Sequence, residues 1–260
     1  MFPQGFLGVE QQLWIWLVAM IRPGAAFLAA PIFGGRAVPV QLRLILSLAV
    51  GMGAMNAVVF QLPDGGIASF AGVLLVMGEV LAGLAMGFAL QLGYAAALIA
   101  GETIGNAMGL GFAAMIDPQS GQSTQVVGQF LSIIATFVLL GMNGHLLLIS
   151  YVVQSYQAMP PGGPMLSNDA IYGLVMFGGA LLGAGVTVAL PVAFSLILIQ
   201  LVMGMLARSA PSLNLFAVGI PVAIMVGLIL LAVTAPIMAQ GMADALRQGL
   251  DQAQIIAEGV

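Results

Sequence analysis

Residues 66–109 read "GIASFAGVLLVMGEVLAGLAMGFALQLGYAAALIAGETIGNAMG", with Glu79 and Glu102 as the only charges. A hydrocarbon layer ~30 Å thick is crossed by about 20 apolar helical residues at roughly 1.5 Å rise each. This run is about twice as long as one simple crossing needs, so it must tilt, kink or fold back as a short helical hairpin.

The same pattern extends outward in both directions. "LWIWLVAMIRPGAAFLAAPIF" (13–33) and "LILSLAVGMGAMNAVVFQL" (44–62) have the length of single spans, the first with Arg22-Pro23 near its middle. "VVGQFLSIIATFVLLGMNGHLLLISYVV" (126–153) reads as one long span. The stretch from Ala170 to Ala207 is uncharged and contains Pro191, and "LNLFAVGIPVAIMVGLILLAVTAPIMAQGM" (213–242) contains Pro221 and Pro236. Proline removes a backbone donor and favours a helix break. In hydrocarbon a break is tolerated only where protein or a wet cavity satisfies the freed groups. Many of these surfaces are therefore expected to face protein.

Composition settles the class. With 61% hydrophobic and 5% charged residues and a mean hydropathy of +1.13, the chain falls far below the roughly one-quarter charged content of soluble domains. The reading is an all-α membrane protein: several long, kinked or hairpin-forming hydrophobic helices in one integrated domain. Five arginines, no lysine and a net charge of -4 leave no basic face for nucleic acid. The absence of cysteine excludes disulfides, thiolate metal sites and thiol catalysis. "MFPQGFLGVEQQ" lacks the cationic start of a cleavable signal, so the first apolar segment is expected to be retained. If the 66–109 run is one crossing, the loops with Arg36, Arg43 and Arg208 share one side, read as cytoplasmic. Asp64, Asp169 and both termini fall on the other. The chain ends in a short polar tail, "DALRQGLDQAQIIAEGV".

Little chemistry is encoded. HExxH, paired aspartates and a serine nucleophile with a base are absent. His145 has no partner motif and reads as a structural hydrogen-bonding residue. Scattered carboxylates offer no metal or cofactor site. The expectation is a non-enzyme without cofactors. Arg22, Glu79 and Glu102 are ionisable at membrane depth, which marks them as functional candidates. The plainer alternative is structural: a buried ion pair of a glutamate with Arg22 or Arg43, or a place near the interface.

Glycines form ridges: Gly83xxxGly87, Gly101xxxGly105xxxGly109 and Gly179xxxGly183 would let helices approach closely. The ridge at 101–109 runs into "GLGFAAMIDPQSGQST" (109–124), apolar first and polar later. From its residues alone this segment is either a solvent-facing turn, given Asp117-Pro118 and Ser120-Gly121, or a moving part.

"RPGAAFLAAPIFGGRAVPVQLRLILSLAV", "GETIGNAMGLGFAAMIDPQSGQST", "NGHLLLISYVVQSYQAMPPGG" and "ALPVAFSLILIQLVMGMLARSAPSLNLFAVGIPV" together resemble the FliR family of flagellar type III export-gate proteins. The resemblance covers nearly the whole chain in order. Its most specific piece is Arg-x-x-Pro-x-x-Asn-x-Phe at Arg208, Pro211, Asn214 and Phe216. Ser212 stands where many members carry Gln, and the lysine-free run after Pro221 is nearer the flagellar than the injectisome members.

The resemblance implies a non-catalytic, pore-forming subunit in the bacterial inner membrane at the flagellar basal body. It would assemble with FliP-like and FliQ-like subunits, alongside FlhB-like and FlhA-like components, amid membrane lipid, and pass unfolded flagellar proteins. It implies a FliP-like part over about 1–165 and a FliQ-like hairpin over about 166–245. It also implies that the loop after the glycine ridge plugs the closed pore. Gly109, Gly111 and Gly121 would allow bending, Phe112, Met115 and Ile116 would seal, and Asp117-Pro118 would begin the polar half. Arg208, Pro211, Asn214 and Phe216 would form a fixed joint. A stand-alone solute channel or transporter is the alternative, although such proteins show internal repeats that are not evident here.

Overall fold

The computed structural model describes residues 7–55, 58, 60, 63, 66, 68–111, 126–163, 166–209 and 215–259. Within these residues the fold is all α, with helices α1 (Leu7–Ala29), α2 (Val40–Ala54), α3 (Phe70–Ala107), α4 (Val126–Gly141), α5 (Gly144–Ala158), α6 (Asn168–Ser209) and α7 (Leu215–Ala257). Four of them (α1, α3, α6 and α7) are long and apolar enough to cross a membrane, or five spans result if α4 and α5 count as one broken crossing.

Several expectations change. The 66–109 run makes no hairpin; its helical part is the single helix α3 of 38 residues. Ser69 starts it by accepting a hydrogen bond from the Gly72 N–H at 3.1 Å. Among the described residues, the 44–62 run contributes to α2, whose 15 residues fall short of the ~20 a crossing needs. The described residues thus offer four candidate spans, or five with the bent pair, where the alternation of sides was read from six runs. The 126–153 run is not continuous either: it breaks at Met142-Asn143, where Asn143 takes a left-handed backbone with φ 56°. Asparagine is among the few residues that visit this region readily.

Four prolines inside the long apolar runs do not break their helices. Pro23, Pro191, Pro221 and Pro236 all sit inside uninterrupted helices. Proline at 23 leaves the carbonyl of Ala19, four residues earlier, without its helical donor. The Tyr156 hydroxyl donates to that same oxygen at 3.0 Å. A neighbouring helix thus makes good what the proline removes. The polar tail is also no tail. It continues α7 to Ala257 and buries Leu246, Leu250, Ala253 and Ile256, an apolar stripe at helical spacing.

The chain divides into two compact units, one from residues 1–93, 140–178 and 246–260, the other from 94–139 and 179–245. In the first, α1 packs on α2, and α5 on both, around Val18, Ala19, Ala54, Phe60, Leu75 and Tyr156. Small residues make this possible. A Cβ on Gly83 or Gly87 would strike the α1 backbone at Arg22 and Ala26, and one on Gly51 would strike Ala19. The second unit buries Ala97, Ala100, Ile104 and Met108 of α3. These meet Leu131 and Ala135 of α4, Val192 and Leu196 of α6, and Leu231 and Met238 of α7. Here α3 crosses α4 at Gly101 against Gly128, backbone to backbone.

Candidate functional site

Two places collect the residues singled out from sequence. The first is a charged clamp in the first unit. Arg22, on the fifth turn of α1, reaches Glu79 on α3 as a bidentate pair. Its Nε donates to Oε2 at 2.9 Å and its Nη2 to Oε1 at 2.7 Å. Both side chains are almost completely buried, at 2% and 3% exposure. The guanidinium also ties down α5: Nη1 donates to Ser155 Oγ at 2.9 Å and Nη2 to the Met159 carbonyl at 2.8 Å. Its face lies 4.1 Å from the centre of the Tyr156 ring, a cation–π contact.

The planar fork of arginine suits this arrangement, since it bonds two carboxylate oxygens while its outer edge serves a hydroxyl and a carbonyl. One cation therefore joins three helices. Arg43, the other arginine considered as a partner, donates instead to the Phe33 carbonyl at 3.1 Å. Glu102 stands exposed on α3. Ser155, Tyr156 and the Met159 carbonyl were not singled out from sequence. The visible signal was a Ser-Tyr pair interrupting an apolar run.

The second place is the C-terminal end of α3, in the second unit. Gly109 leaves the helix with φ 82°, a left-handed position that a side chain would strain. The Leu110 N–H returns to the Gly105 carbonyl at 3.0 Å and that of Gly109 to Asn106 at 3.0 Å, closing the last turn as a Schellman-type cap. So Gly109 is a helix stop and not a third step of the glycine ridge. Two other helices hold this end. Gln200 of α6 donates from Nε2 to the Ala107 carbonyl at 2.6 Å. Met108 lies against Gly227 of α7, where a Cβ would come within 2.8 Å of its Cγ and Cε.

Of the proposed plug residues, Gly109 and Gly111 are placed, with a Cβ on Gly111 falling 3.2 Å from Asn106 Oδ1. Phe112, Met115, Ile116, Asp117, Pro118 and Gly121 lie outside the described residues. In the joint, Arg208 occupies the last turn of α6, where a cation meets the negative end of the helix dipole. Phe216 lies in the first turn of α7, while Pro211 and Asn214 lie outside the described residues. Among the described residues, the buried Nδ1 of His145 has no hydrogen-bond partner.

The third glycine ridge also departs. A Cβ added at Gly179 or Gly183 would meet nothing within 4 Å, so among the described residues they seat no helix of this chain. Much of α6 and α7 is similarly uncovered: their most apolar windows are only 28% and 17% buried.

Among the described residues the chain is all α, has four helices long and apolar enough to cross a membrane, or five spans with the bent pair, and is tied internally by a buried ion pair, a build consistent with a multi-pass membrane protein. Residues 13–249 match the family described as "Bacterial export proteins, family 1". The chain is 34% identical over 240 residues to flagellar biosynthetic protein FliR of Escherichia coli K12, covering 90% of both chains. It is 35% identical over 229 residues to FliR of Pectobacterium carotovorum, covering 88% of this chain and 85% of that one. For FliR of Bacillus subtilis the figures are 30% over 221 residues, with 84% and 85% covered. The chain belongs to the FliR family of bacterial flagellar export proteins.

Proposed function

We propose that this protein is a non-catalytic, pore-forming subunit of the flagellar export gate in the inner membrane at the basal body. It assembles with FliP-like and FliQ-like subunits, next to FlhB-like and FlhA-like components, and passes unfolded flagellar proteins. The observation that carries the reading is the uncovered surface of α6 and α7. An apolar face with an open glycine ridge, in a chain of the export family, is suited to close packing against further helices. α6 and α7, joined by the Arg208–Phe216 segment, form the FliQ-like hairpin in this reading, and the preceding helices form the FliP-like part.

The segment that follows Gly109 serves as the plug. What supports this is the construction of its origin: a glycine stop, a Schellman-type cap, the Gln200 bond and the Met108–Gly227 contact give a fixed root for a segment that starts apolar and ends polar. Removing part of residues 112–122 is expected to leave the assembled gate at normal abundance and to make the membrane permeable to ions and small molecules. That leak should require the FliP-like and FliQ-like partners. The assay is dye or ion flux in cells with and without them. Loss of assembly, or unchanged flux together with unchanged secretion, returns the segment to a plain turn. A chain that purifies alone as a stable monodisperse species and conducts solutes would establish the stand-alone channel instead.

A further inference from the structure

Beside the charged clamp lies a cavity of about 260 Å³, walled by Arg22, Leu75, Glu79, Ala82, Met159 and Gly162 among others. The clamp residues that form part of that wall leave some of their bonding capacity unused among the described residues. A guanidinium has five N–H donors and a carboxylate about four acceptor positions. Arg22 uses four donors, on Glu79 twice, on Ser155 and on Met159. One Nη1 donor remains, and Glu79 keeps about two acceptor positions beyond those Arg22 fills.

Leaving such groups unmet in an apolar surrounding is costly, the more so for charged ones. The pair is neutral as a whole, so an isolated cation would meet Arg22 and an isolated anion would meet Glu79. The occupant must be small, neutral, and both donor and acceptor. At ~30 Å³ per molecule in the liquid, several waters fit.

We infer that this cavity is a structural water site, in which ordered water completes the bonding of Arg22 and Glu79 and keeps the pair charged among apolar helices. The clamp is then a hydrated joint, not a dry one. The inference concerns the folded chain and is independent of the export reading.

The test uses the full-length protein in its assembled membrane complex. Brief X-ray radiolysis converts water in place to hydroxyl radicals, and mass spectrometry reads methionine oxidation. Met159 borders the cavity and is 4% exposed, whereas Met86, at 0%, does not border it. Met159 should be oxidised about tenfold faster than Met86, thioether for thioether. Ala82→Leu, which fills part of the cavity, should lower Met159 oxidation severalfold with Met86 unchanged. Equal, slow oxidation of both methionines overturns the inference and indicates a dry or lipid-filled cavity. Unchanged Met159 oxidation in a folded Ala82→Leu protein also overturns it, because the radicals then arrive from outside. If Ala82→Leu does not accumulate, the Met159 to Met86 ratio in the unaltered protein decides.

Discussion

Arg22→Met is the perturbation with the most definite consequence. It deletes four hydrogen bonds to Glu79, Ser155 and the Met159 carbonyl, together with the contact on Tyr156. Methionine fills part of the volume and replaces none of the bonds. Glu79 is left buried without its cation, and removing one partner of a buried pair costs about 3–5 kcal/mol. At about 2–4 °C per kcal/mol for a large chain, the thermal midpoint should fall by ~10 °C. Glu79→Leu should do similar damage from the other side.

The double variant is the decisive one. Once either charge is gone, losing the second removes no ion pair, and an apolar pair avoids a stranded charge. The double variant should therefore lie well short of the sum of the singles, with a coupling of about 2 kcal/mol or more. Arg22→Lys should fall between, because a point charge cannot serve two carboxylate oxygens, a hydroxyl and a carbonyl together. The assay is thermal unfolding of the purified complex, read as loss of the folded species on size exclusion. A midpoint within two degrees of the unaltered protein for Arg22→Met would refute the reasoning, at about 1 kcal/mol or less. So would strict additivity in the cycle.

Other perturbations separate residues that look alike in sequence. Gly83→Val and Gly101→Val should each cost about 1–3 kcal/mol or more by overpacking, because a side chain there meets the α1 backbone or Gly128; abundance in membranes reports it. A Cβ at Gly179 meets nothing within 4 Å among the described residues, so the isolated fold should tolerate Gly179→Val while recovery of the complex with partner subunits drops. Ile32, a β-branched residue at φ 69°, carries a backbone strain of order 1–3 kcal/mol. Ile32→Asn should therefore raise the thermal midpoint by a few degrees, and a lowered midpoint would count against strain at that turn. Glu79→Gln should lower the amount of assembled protein far more than Glu102→Gln, since only the former sits in the clamp; immunoblots of membrane fractions compare them.

Much of the class was legible because lipid imposes a coarse demand that composition meets or fails. An apolar content of 61% and runs longer than one span leave few alternatives to long helices in a membrane, and four helices long and apolar enough to cross one are present. The family resemblance was equally legible, since it rests on motifs contiguous in sequence. The reading failed where a local rule was applied without its surroundings. Pro23 looked like a break, yet Tyr156, far along the chain, supplies the missing donor to Ala19. The segment "DALRQGLDQAQIIAEGV" was read as a short polar tail, yet it presents Leu246, Leu250, Ala253 and Ile256 on one face and buries them.

By itself, then, the chain's apolar patterning determined that it forms long membrane-type helices, because hydrophobic length and charge spacing are properties of a single segment. Pairing is not. Gly83xxxGly87 and Gly179xxxGly183 are the same pattern in sequence, and only the tertiary structure decided that the first seats α1 while the second stays open. Likewise, Arg22 had two glutamates within conceivable reach, and the choice of Glu79, with Ser155 and Met159 completing the fork, was decided by which faces of α1, α3 and α5 meet. A glycine ridge or a buried charge states a need for a partner; the partner is supplied by residues 57 to 137 positions away, and no local rule carries that distance.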